Sequence, residues 1–255
     1  MASLDSVRQK IFRAILHAQS LETELHRYFD SDPAHMVRDK DSPDDAPTFT
    51  LKPKGPMPAR FGLIIGDCLQ NLRSSLDYLV WELVLATNSQ PAEHNMFPIC
   101  TSADLFRNAV SKRKRLLGVH PDAVAEIEAL QPYHLGQDWR KSKLWVIEEF
   151  VNINKHRRVL LTMLRSSLTP QMDIFQVGGE LIAHLPAGAS MPIFDGDAKI
   201  DAAPLSEQMK MNAQLLACVT FDEGPAKGME VTICMNEWIN FVLNVLVPKF
   251  ERFFS

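Results

Sequence analysis

Apolar residues recur at helical spacing in three long stretches. Over residues 3–29, Val7, Ile11, Ile15, Leu16, Ala18 and Leu21 alternate with charges, which predicts a helix with Asp5 as its cap. Over 60–88, Ile64, Ile65, Cys68, Leu69, Leu72, Leu76, Leu79, Val80 and Leu83 cover one broad face, with Asp67, Asn71, Ser74 and Tyr78 on the opposite stripe. Over 140–166, Val146, Phe150, Ile153, Leu160 and Leu164 set a third apolar face. Shorter helices are expected at 102–115, capped by Thr101 or Ser102, and at 121–130, where Pro121 sits in the first turn. Residues 236–254 return to helical spacing with Trp238, Ile239, Val242, Leu246, Phe250 and Phe253.

Between these stretches the pattern changes. Proline and acidic residues make 33–46 an exposed loop, and 48–52 alternates like a short edge strand. Residues 173–185, 216–221 and 229–234 read as strands, with Gly178-Gly179 and Gly224-Pro225 as turns. Residues 186–203 read as loop. The expected architecture is one α+β domain over 1–255. A helical bundle body (1–32 and 60–166) carries an exposed loop (33–59). A small, mostly antiparallel C-terminal sheet (167–234) and a terminal helix (235–255) complete it.

Composition narrows the class. With 255 residues, 46% hydrophobic and 23% charged, the chain is neither disordered, collagen-like nor a coiled-coil rod. A net charge of −4 argues against a protein that coats nucleic acid with its whole surface. No uninterrupted apolar run approaches the ~20 residues that cross a bilayer, and the first residues lack a signal pattern. The four cysteines, Cys68, Cys100, Cys218 and Cys234, are far apart and form no C-x2-C pair. A cytoplasmic protein with no cofactor, no metal site and no membrane partner is the simplest expectation.

Charge is uneven. Segment 111–166 holds 11 basic against 6 acidic residues, in clusters at Lys112–Arg115, Arg140–Lys143 and Lys155–Arg158. A small anionic ligand or RNA is the functional reading of this segment, and a solvated face paired with acidic neighbours is the bland one. A second oddity lies in the 140–166 pattern. Glu149 and His156 point ~20° apart, close to the apolar face, with Asn152 at its border. A half-buried stripe of this kind needs partners. The 60–88 helix supplies Asp67, Asn71, Arg73 and Asp77, so that Asp77 with Arg157 and Arg73 with Glu149 are the expected pairs.

Three roles are open for this stripe. It is a packing network, a small-ligand or anion pocket with Arg73, Lys155 and His156 as donors, or an acid/base site at His156 tuned by Glu149 or Asp77. A di-iron bundle needs repeated Glu-x-x-His, which the chain lacks, and no phosphate loop, G-x-S-x-G or H-E-x-x-H motif occurs.

Two blocks carry a resemblance. Gly66-Asp67-Cys68-Leu69-Gln70-Asn71-Leu72-Arg73-Ser74-Ser75-Leu76-Asp77-Tyr78-Leu79-Val80-Trp81-Glu82-Leu83 follows G-D-x-L-x-N-L-R-S-x-L-D-x-L-x-W-x-L. Asn152-Ile153-Asn154-Lys155-His156-Arg157 follows N-x-x-K-H-R. Together they resemble a family of uncharacterised bacterial proteins, a resemblance that implies no activity. A weaker resemblance is to HEPN ribonucleases, whose motif tail Asn152 and His156 match. The arginine of that motif has no counterpart at Glu149, Phe150 or Val151.

The expected function is a cytoplasmic binding or interaction module with its polar site between helices 60–88 and 140–166. Asp67, Asn71, Arg73 and Asp77 line one wall, and Glu149, Asn152, Lys155, His156 and Arg157 the other. The enzyme alternative is a HEPN-like, metal-independent ribonuclease or other acid/base enzyme centred on His156 and Glu149. The structural alternative is a homodimer joined through an exposed apolar face such as 241–254, with a buried polar network inside.

Overall fold

A computed structural model describes residues 2–38, 40, 48–157, 159, 161–165, 172–175, 181–185, 193–194, 197–201 and 217–254. The fold is α+β and dominated by helices. The helices are α1 (Asp5–Asp30), α2 (Ala59–Ala86), α3 (Ala103–Ser111), α4 (Pro121–Ala129), α5 (Lys143–His156) and α6 (Val231–Asn240). The strands are β1 (Ala34–Arg38), β2 (Thr48–Pro53), β3 (Leu161–Arg165), β4 (Met172–Phe175), β5 (Leu181–Leu185), β6 (Ile193–Phe194), β7 (Asp197–Asp201) and β8 (Ala217–Phe221).

Helix α2 is the centre of the core, as its wide apolar face requires. Phe61, Ile65, Cys68, Leu69, Leu72, Leu76, Leu79, Val80 and Leu83 are all buried. Helix α1 runs antiparallel beside it. Glu82 near the end of α2 accepts hydrogen bonds from Ser3 N–H (3.1 Å) and Ser6 Oγ (2.9 Å), while Arg60 at its start reaches Glu24 (2.6 Å). The cap of α1 differs from the expectation. Asp5 lies inside the first turn, and its own N–H donates to Ser3 Oγ (3.2 Å). Helix α3 is capped by Ser102, whose Oγ accepts from Leu105 N–H (3.2 Å), and it ends at Ser111, short of the expected 115.

The third long helix is shorter than its apolar pattern suggests. Residues 132–141 form a 3-10 stretch, and α5 ends at His156, where Arg157 turns extended (φ −162°, ψ 159°). Leu164 belongs to β3, which pairs antiparallel with β8, and Leu160 lies outside the described residues. The long-range pairing with β8 decides the state of this segment, because β-branched and aliphatic residues serve either element.

Glycines explain the close approach of the α5 end to α2. A Cβ on Gly62 would stand 2.7 Å from the carbonyl oxygen of Val159. A Cβ on Gly66, one turn later, would overlap the side-chain amide of Asn154. The two glycines form a notch that receives the chain as it leaves α5.

The strands also depart from the expectation. Residues 34–38 form β1 within the stretch read as loop, while 41–47 lie outside the described residues. Strand β2 is central rather than at an edge, because it pairs with both β1 and β7 in the antiparallel order β1-β2-β7-β6. Strands β6 and β7 occupy part of the stretch 186–203 read as loop. Strands β4 and β5 form an antiparallel pair, and Gly178-Gly179 between them lies outside the described residues.

Residues 229–234 are not a strand. Helix α6 begins at Val231, and Val231, Cys234, Met235 and Trp238 bury one helical face. Tertiary burial overrides the β preference of Val231, Thr232 and Ile233. The helix continues through a wide π turn (Phe241–Leu246) and a 3-10 turn (Val247–Phe253) around Pro248, which has no N–H to give. This stretch, Val231–Phe253, has 23 residues and an 18-residue window of mean hydropathy 1.3, long and apolar enough to cross a membrane by length and composition. Here its apolar face packs inward: Phe150, Phe221 and Trp238 form a triangle with ring centroids 4.7–5.7 Å apart.

The notch yields a test. Gly62→Ala meets backbone and should cost about 1–3 kcal/mol as overpacking. Gly66→Ala meets only a side chain that can turn away, and should cost less. Urea unfolding of both variants measures the difference, and equal costs would refute a backbone clash at Gly62.

Candidate functional site

The predicted polar site is a closed ionic fork. Arg73 is buried on α2, and its guanidinium is divided among three partners. Nε donates to Glu148 Oε2 on α5 (2.6 Å), Nη1 to Asp77 Oδ1 (2.6 Å) and Nη2 to the Phe97 carbonyl (3.0 Å). Asp77 Oδ1 also accepts the Phe97 N–H (2.9 Å). Burial alone would weaken the guanidinium's hold on its proton, but the charges of Asp77 and Glu148 outweigh it and raise the pKa. Each nitrogen of the fork makes a hydrogen bond, so Arg73 joins α2, α5 and the Phe97 segment.

This arrangement corrects two expected pairs. The partner of Arg73 is Glu148, not Glu149. Asp77 pairs with Arg73, not with Arg157, and Arg157 instead meets Glu223 beyond β8. The expected wall is also divided. Asn71 and Arg73 lie roughly 200° apart on the helix. Asp67 is exposed, and Asn71 donates to its carbonyl (2.8 Å) away from the fork. On α5, Asn152, Lys155 and His156 are exposed rather than half-buried, and Glu149 is intermediate. Lys155 Nζ reaches Asn152 Oδ1 (3.4 Å). The two sequence blocks do meet in space, where Gly66 lies against the side chain of Asn154.

Four residues of the basic segment have ion-pair or stacking partners, Arg157 among them. Lys141 meets Asp138 (2.9 Å), Lys143 meets Glu237 (3.2 Å), and Arg140 lies over the Trp139 ring (4.2 Å). Lys112, Arg113 and Lys114 are exposed on the turn after α3.

A different site opens between α1, β8 and the start of α6. It is a cleft of about 460 Å³. Glu22, His26 and Asp30 stand one turn apart on α1, and Glu230 faces them from the residue before α6. Leu25, Phe29 and Val219 give it an apolar floor, and Cys218 and Thr232 complete the wall. Thr232 Oγ1 donates to Glu230 Oε1 (2.7 Å), and Asn236 Nδ2 donates to Glu22 Oε1 (3.3 Å). Burial, then the charge of Glu230, push the Cys218 thiol up to about 12. A hollow of about 530 Å³ beside Phe253 and Phe254 is larger, but Asn88, Ser89 and Gln90 supply no charge there. Among the described residues, no three His, Cys, Asp or Glu side chains lie close enough together to hold a metal ion.

Sequence reasoning missed this cleft. The spacing of Glu22, His26 and Asp30 was visible as a polar stripe on one helical face. Its fourth member, Glu230, comes from a segment that reads as a strand and joins α1 only through folding.

The fork and the exposed stripe should respond differently to substitution. Arg73→Met leaves two carboxylates without their cation and should destabilise by about 2–3 kcal/mol. His156→Ala should leave the melting temperature within about 1 °C, as exposed sites usually do. A large loss at His156 would show that the stripe is a packing element. Burial also pushes Cys68 and Cys234 up to about 12. With Cys218, they should therefore resist a thiol-disulfide reagent at pH 8 until the chain is unfolded. No family model matches the chain, no curated protein matches it, and no solved structure matches its fold.

Proposed function

We propose that the chain is a small-ligand binding module, and that its ligand carries a positive charge into the cleft between α1, β8 and α6. One observation carries this reading. Three carboxylates and an imidazole from two separate segments surround an apolar floor, and the described residues of the lining include no lysine or arginine. A volume of about 460 Å³ suits a small molecule. Apolar contact with Phe29 and Leu25, together with charge-assisted hydrogen bonds to Glu22 and Glu230, fits an amine or guanidinium on a short carbon chain.

This reading keeps the binding module expected from the sequence and moves its site. The α2–α5 interface supports a packing role, because Arg73 is buried and each nitrogen of its guanidinium already holds a protein acceptor. Acid/base chemistry at His156 has less support, since the ring is exposed at the end of α5. Among the described residues the anion and RNA reading rests on the exposed turn Lys112–Lys114 and on exposed Lys155. The four cysteines are free thiols, which supports placing the protein in the reducing cytoplasm.

Titration calorimetry with 1,4-diaminobutane and with N-methylguanidinium tests the proposal. Saturable binding of at least one is expected, weakened about tenfold or more by Glu230→Gln with the fold intact. No binding of either probe, or equal binding by the variant, would overturn the reading.

A further inference from the structure

One stripe of α2 stays outside the core. Other faces of the helix are buried against α1 and α5, yet Leu63 (58%), Tyr78 (43%) and Trp81 (44%) are exposed on it. Ser74 marks the middle of the stripe. Gln70 and Tyr78, Asp67 and Trp81, and Leu63 and Leu85 stand at equal distances before and after it. The steps from Leu63 to Leu85 are 4-3-4-4-3-4, the same in either direction. At 100° per residue, these positions fall within about 40° of one line along the helix. Asp67 and Gln70 are exposed as well, while Ser74 and Leu85 are half-buried. Among the described residues, the side chains of Asp67, Gln70, Ser74 and Trp81 make no hydrogen bond or ion pair.

We infer that this stripe is the interface of a homodimer, in which α2 packs antiparallel against α2 of a second copy with the two-fold axis at Ser74. The order of the side chains selects a second copy over other partners. A two-fold axis through an antiparallel helix pair sets a residue n positions before Ser74 against the residue n positions after it in the other copy. Leu63 of one copy then faces Leu85 of the other, apolar against apolar. Asp67 faces the second copy's Trp81, whose indole N–H can donate to the carboxylate. Gln70 faces the second copy's Tyr78, amide against phenol. Ser74 faces itself, and its small side chain lets the two helices approach closely where they cross. Charge agrees with this register. Lys10 Nζ lies over the Tyr78 ring (5.2 Å), one turn from Trp81, where the second copy brings the carboxylate of Asp67.

The strip is about 33 Å long and about 10 Å wide, one helix across. That is smaller than the roughly 800 Å² per partner of a standard interface, so the dimer is a weak one with a micromolar Kd.

Sedimentation velocity of the full chain from about 5 to about 500 µM tests the interface, a range that brackets such a Kd. The wild type should pass from monomer to dimer across it. Ser74→Arg sets two cations together on the axis and should weaken association about tenfold or more, with the melting temperature within about 2 °C of the wild type. Val245→Arg, on the exposed apolar surface near the C-terminus, should dimerise like the wild type. A monomer at every concentration, a dimer that survives Ser74→Arg, or a dimer lost with Val245→Arg would each overturn the interface. Ser74→Cys gives a second reading without a bulky side chain. Mild oxidation of the folded protein should link two copies through position 74, with the wild type as blank. Asp67→Cys, set opposite Trp81 rather than itself, should link far less. Equal linking at both positions, or none at 74, would rule out the axis at Ser74.

Discussion

The guanidinium of Arg73 is the constraint on which the helical body turns. It is a permanent charge in a place where most water is excluded, so it must be met on each side. Glu148, Asp77 and the Phe97 carbonyl meet it, and they come from three different parts of the chain. A shift of α5 along α2 by one turn would separate Arg73 from Glu148 and leave both without a partner. The ordinary apolar packing of Leu72, Leu76 and Ile147 tolerates such slips far better. The fork thus serves as a register lock whose main contribution is to make wrong arrangements costly.

The glycine notch fixes the same register from the other end. Gly62 and Gly66 let Val159 and Asn154 come closer to α2 than any side chain would permit. Between the notch and the fork, α5 is held at both ends, and its C-terminal residues are turned toward β3. Strand β3 then pairs with β8, and β8 brings Phe221 against Phe150 and Trp238. Through this route the position of α5 sets where β8 and the start of α6 meet α1. The cleft proposed to bind a cation is the space left where they meet.

Much of the body was legible because helical burial writes a periodic signal. The apolar rows of α1 and α2, the Ser102 cap and the proline at the start of α4 all arise from local rules, and they hold except at Leu16, which is exposed. The polar network was legible as a need rather than as a set of pairs. Arg73 on an apolar-rich helix calls for acidic partners, but Glu148 and Glu149 are adjacent in sequence. Only the rotation of α5 about its axis selects between them. The expected half-burial of Asn152 and His156 failed for the same reason, since α5 ends at His156 and its last turn lies at the surface.

Local pattern was enough for the α+β class, the helical rows of α1 and α2 and the central place of residues 60–88, because each depends on residues within a few turns of one another. The end of α5, the strand identity of 161–165, the helical start at Val231 and the central position of β2 depend on partners 50 to 150 residues away. Those segments have side chains suited to either strand or helix, and the free energy of burying them against a particular partner exceeds their local preference. The meeting of Glu22, His26 and Asp30 with Glu230 is of this second kind: each is an ordinary surface residue until folding sets α1 beside α6.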